Sequence, residues 1–144
     1  MNAVSVLATI ALPVLAAVAL VVCAWRTVRG VADRSWTRPG WWPNPAFVLL
    51  VAGAVIWFFG AWSGGLDVGE ACAAQGTPLD NAYRAAHWRE ASRWFPLHNK
   101  CDAAHDLVPA YVNPTLVAVA VLLVGCAVAA VAAVLGRKKS DTTA

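Results

Sequence analysis

The sequence predicts an all-α membrane protein with three transmembrane helices and a disulfide-closed outer loop containing one helix. Three observations predict it. Of the 144 residues, 60% are hydrophobic and only 13% charged, a balance too apolar for an ordinary soluble domain. Three charge-free runs, Val4–Trp25, Pro45–Trp62 and Pro114–Gly136, match the roughly 20 residues a helix needs to cross a hydrocarbon core of about 30 Å. Between the last two lies a polar stretch, Ser63–Asn113, with six of the eight acidic residues and all three histidines.

The first span, residues 1–25, is expected to be a retained anchor. No Lys or Arg precedes Arg26, and the apolar run outlasts the roughly 7–15 residues of a secretory signal core. Bulky Val22 before Cys23 does not suit a lipoprotein site. Pro13 is expected to bend this helix. The connector at 26–44 follows, with Arg26, Arg29, Arg34 and Arg38 against Asp33, a net of +3.

The second span, 45–62, carries Trp57, Phe58 and Phe59 near its end, and Trp41, Trp42 and Trp62 flank it as interface residues. The third, 114–136, is expected to start with Asn113 as cap and Pro114 in first position. Gly125, Ala129 and Ala133 form a small-residue face there, equally readable as Ala-rich composition. The 137–144 tail has Arg137, Lys138 and Lys139 against Asp141, a net of +2. The loop has four basic residues against six acids, a net of −2.

Basic connectors stay in the cytoplasm. The charges therefore place the chain in the plasma (inner) membrane with the N-terminus and the 63–113 loop outside and the C-terminus inside. The overall charge of +3 reflects this topology and anionic inner-leaflet lipid, not nucleic acid. No Asp, Glu, Lys, Arg or His falls within any span, which disfavours a transporter or pump built from this chain alone.

Within the loop, Cys72 and Cys101 lie where disulfides persist and are expected to pair, while Cys23 and Cys126 fall in apolar segments as small fillers. A helix is expected over about 78–94, with Thr77 as cap, Pro78 first and Pro96 beyond its end. At helical spacing Leu79, Tyr83, Ala86, His87, Glu90 and Trp94 share a face, with Arg84, Trp88, Ala91 and Phe95 opposite. Glu90 on that face needs a partner, and His87 or Arg93 is in reach.

The three histidines, with Asp102 and Asp106, raise a metal-handling alternative, but their spacing fits no zinc signature and metal ligands are not expected. A redox or envelope-biogenesis enzyme is a second alternative, weakened by cysteines far from CxxC spacing. No catalytic residue and no cofactor is expected.

The run Tyr83-Arg84, His87-Trp88-Arg89-Glu90, Ser92-Arg93-Trp94-Phe95-Pro96-Leu97, Asn99-Lys100-Cys101 and Asp106-Leu107-Val108-Pro109 resembles a pattern of small actinobacterial membrane proteins of unknown function. The resemblance covers mostly the loop and the start of the third span, and it implies no activity. The expected role is that of a non-enzymatic accessory, assembly or interaction protein. Its partners would be the bilayer and another envelope protein, with Tyr83, His87, Arg89, Arg93, Trp94, Phe95 and His98 as the contact surface.

Overall fold

The computed structural model describes residues 3–142, so the first two residues of the first span and the last two of the tail lie outside the described residues. The chain is helical, and among the described residues there is no strand beyond one isolated bridge, Lys100 with Asp106. Helix α1 covers Ala3–Ala32 and α2 covers Pro43–Ala61. Three short helices follow in the loop, α3 at Val68–Ala74, α4 at Asn81–Ala86 and α5 at Trp88–Ala91, before α6 at Val112–Thr142.

The stretches Pro13–Ala32, Pro39–Ala61 and Val112–Lys138 are long and apolar enough to cross a membrane. Only 6%, 11% and 6% of their most apolar windows are buried within the chain. Helices that show this much Leu, Val and Phe outward need an apolar surrounding, and lipid supplies it. These are the transmembrane helices of a membrane protein.

Helices α1 and α6 overrun their apolar cores. Helix α1 continues seven residues past Trp25 because Arg26-Thr27-Val28-Arg29 are compatible with helix, and Arg29 makes an i,i+4 pair with Asp33 at 3.4 Å. Helix α6 begins at Val112, so Asn113 lies inside the first turn and is not its cap. Its side chain has another task. It accepts from the Leu97 backbone N–H at 2.8 Å and donates to the Leu97 carbonyl at 3.0 Å.

Contacts divide the chain into two compact units, Met1–Val51 with Ala120–Ala144, and Ala52–Val119. The second holds the loop and two small cores. Cys72, Cys101 and Leu107 are buried together with Val68, Ala71 and Leu79 against them. Leu97, Val108 and Val112 are buried against Ile56, Trp57 and Leu116. Glycine at position 60 makes the latter packing possible, since a Cβ there would come within 2.7 Å of Val112 and 2.9 Å of Leu97.

The first unit includes the connector. Arg34 turns the chain back in the left-handed region, with φ 53°, and two 3-10 turns follow at Ser35–Thr37 and Pro39–Trp41.

Candidate functional site

The loop is held by a disulfide, two carboxylate-centred junctions and the Asn113 clasp. Helix α3 starts where Asp67 accepts from the Gly69 and Glu70 backbone N–H groups, satisfying orphan donors of the first turn. It stops in a Schellman arrangement: Gly76, at φ 75°, donates to Ala73 and Thr77 donates to Cys72. That turn presents Cys72 to Cys101, and their sulfurs are bonded with Cα atoms 5.8 Å apart. Both cysteines are fully buried.

Asp106 organises the second half of the loop. Its Oδ1 accepts from the backbone N–H of Asn99 and of Val108, each at 2.9 Å, while Oδ2 meets His98 Nδ1 at 2.7 Å. Burial works against the charged form, but the Asn99, His98 and Val108 donors together hold this carboxyl below its usual range. Asp102 does the same on the exposed tip. The Ala104 and His105 N–H groups, then the His105 ring at 3.1 Å, keep its carboxyl low as well.

The expected helix over 78–94 is shorter and broken. It begins at Asn81 because Asp80 is the cap, accepting from Tyr83 N–H at 2.9 Å, while the Asp80 and Thr77 N–H groups are drawn to the carbonyls of Cys101 and Cys72. Thr77 is buried, not capping. The chain bends at His87 (φ −115°, ψ 28°), and after Ala91 it leaves helix altogether. The Trp94 carbonyl accepts instead from Trp57 Nε1 at 3.0 Å, beneath a stacked pair of indoles 5.6 Å apart. Phe95–Pro96 is a cis peptide.

The bend rearranges the expected faces. Tyr83, Arg84, His87, Trp88, Glu90, Ala91, His98 and Lys100 now line one cleft of about 220 Å³. Residues expected on opposite faces thus share it. The partner of Glu90 is Lys100, at 3.4 Å, in place of His87 or Arg93. The Tyr83 hydroxyl, 3.3 Å from Lys100 Nζ, and after it the Glu90 carboxylate hold this ammonium above its usual range against the desolvation that opposes it. Arg84 donates to Asn99 Oδ1 and the Lys100 carbonyl, at 3.2 and 2.8 Å. The His87 ring stacks on Tyr83 at 4.2 Å.

Of the seven residues expected on the contact surface, Tyr83, His87 and His98 meet in this cleft. Arg93 and Trp94, with His98 at the shared wall, line a second hollow of about 380 Å³ beside Trp57. Arg89 lies outside both, its guanidinium over the Trp88 ring at 5.5 Å, and Phe95 is simply exposed. Arg84, Glu90 and Lys100 complete the cleft and were not expected there. Among the described residues no three His, Cys, Asp or Glu side chains gather as a metal site; His98 and His105 each take a different aspartate.

These features define an integral membrane protein with three spans and a disulfide-braced polar loop. Compared with known proteins, the chain matches no family model, no curated protein and no solved structure.

Proposed function

We propose that this chain is a non-enzymatic accessory or assembly protein of the plasma membrane, which presents its 63–113 loop outside the cell to another envelope protein. One observation carries the reading. The loop is braced at Cys72–Cys101, Asp106 and Asn113, yet Trp88, Trp94 and Phe95 stand 61%, 78% and 51% exposed on that frame. Large aromatic groups displayed on a pre-ordered backbone lose little entropy when a partner covers them, which is the property of a recognition surface. Charge supports the outward orientation, with a net of +3 on the connector against −2 on the loop. Lys100 is held by Tyr83 and Glu90, and Arg84 by the Lys100 carbonyl, which favours a fixed shape over a reacting centre.

A photo-crosslinking side chain at Trp88, in the full-length protein in its own membrane, tests this. The expected outcome is one discrete crosslinked protein that disappears when Trp94→Ala and Phe95→Ala are added. Crosslinks to lipid alone, with a monomer after gentle-detergent extraction, would overturn the reading.

A further inference from the structure

We propose that the connector between α1 and α2 forms an anion site for a phosphate group, carried either by an anionic phospholipid headgroup or by a soluble phosphate. The loop plays no part in it, so the proposal stands apart from the function above.

The site is built by a fold-back. After α1 the left-handed Arg34 reverses the chain, and Ser35 Oγ donates to the Gly30 carbonyl at 3.2 Å. The Trp41 indole then comes to rest on Gly30, which is buried. A Cβ at position 30 would collide with Trp41 and approach Ser35 Oγ to 2.8 Å, so only glycine admits this contact. Asn44 fixes the end of the turn, its Nδ2 donating to the Trp41 carbonyl at 2.9 Å. The result is an open cavity of about 590 Å³ walled by Trp25 and Trp41.

Four guanidinium groups line that cavity, those of Arg26, Arg29, Arg38 and Arg137. Among the described residues one carboxylate faces them, Asp33, and it pairs with Arg29. Arg29 also lies over the Trp25 ring at 5.1 Å. Among the described residues Arg26, Arg38 and Arg137 have no ion pair, which leaves a local excess of three positive charges.

The occupant follows from this chemistry. Several planar forks converging on one hollow match the oxygens of a tetrahedral phosphate better than a lone carboxylate. The flanking indoles and the adjoining apolar helices are the setting of a lipid headgroup, with acyl chains free to run along the exposed α1 surface.

The test uses the purified full chain in phosphatidylcholine nanodiscs doped with phosphatidylglycerol, with retained lipid read by native mass spectrometry. Wild type is expected to hold phosphatidylglycerol selectively. Arg38→Gln and Arg26→Gln should each weaken retention about five- to tenfold, whereas Arg34→Gln, which removes the same charge from the same connector without lining the cavity, should change it less than twofold. Resistance of the bound lipid to millimolar inorganic phosphate identifies the headgroup as the source. Displacement by inorganic phosphate identifies a soluble one. Equal losses in Arg34→Gln and Arg38→Gln would show a diffuse surface charge and overturn the site, as would no preference for phosphatidylglycerol and no phosphate binding in the wild type. An intact Cys72–Cys101 bridge and unchanged helical circular dichroism certify each variant as folded.

Discussion

In the loop, Glu90 meets Lys100, Asp106 meets His98 and Asp102 meets His105, and Arg84 is spent on an amide and a carbonyl. Around the connector cavity a single connector acid, Asp33, stands against Arg26, Arg29 and Arg38 of the connector and Arg137 of α6. The loop uses charge to build its own shape; the connector uses a turn and a glycine contact to build shape and leaves charge over. A region where three of its acids pair with its own cations is suited to presenting a surface. One with surplus donors is suited to receiving an acceptor from outside.

The contrast can be broken by experiment. The largest effect is expected from Cys72→Ser with Cys101→Ser, since a bridge of sequence separation 29 stabilises its loop by about 3–4 kcal/mol. Limited proteolysis should then cut within 63–113 while the spans keep their helical circular dichroism. A loop still resistant to protease would show that the carboxylate junctions suffice alone. Next comes Asp106→Ala, which strips two backbone N–H groups of their acceptor and costs about 2–3 kcal/mol. Faster amide exchange at Asn99 and Val108 would register it, with unchanged exchange in the connector.

Glycine substitutions separate the two regions most cleanly. Gly60→Val should overpack Leu97 and Val112 at a cost of about 1–3 kcal/mol and loosen the loop. Gly30→Val should expel Trp41 and leave loop protection as it was, visible as a change in connector exchange only. Thermal unfolding of both variants in nanodiscs checks the pair, and a loosened loop in Gly30→Val would contradict their independence.

The smallest effect is with pH. Asp106 and Asp102 both titrate below the ordinary 3.8. Their contribution is complete above that value and drains away as pH falls through the lowered ones. Loop exchange corrected for intrinsic rate should therefore stay level from neutral pH to about 4 and rise below it.

The spans and the disulfide were legible in the sequence because neither depends on distant partners. A charge-free run identifies itself, and two cysteines in one polar segment have few alternatives. The loop interior was not legible. Thr77-Pro78 reads as a helix start, but the turn that ends α3 takes the Thr77 N–H to the Cys72 carbonyl, and the bridged fold brings the Cys101 carbonyl to the Asp80 N–H. His87 and Arg93 were the natural local partners for Glu90, yet Lys100 arrives beside it because the bridge brings residue 101 to α3. Helix α3 did leave a signal, Asp67 followed three residues on by Glu70, with Gly76 closing the turn. The connector cavity left none, since the arginines that define it read equally well as topology.

The Asn113 clasp ties the order of synthesis to the order of folding. Leu97 cannot be gripped until the second residue of α6 has been made, and Val112, which completes the Leu97 core, precedes it by one. The earlier parts of the loop leave the ribosome without their last fastening. Sealing of the loop therefore waits on the first turn of the third span, so its maturation and that span's entry into the bilayer belong to one step of biogenesis.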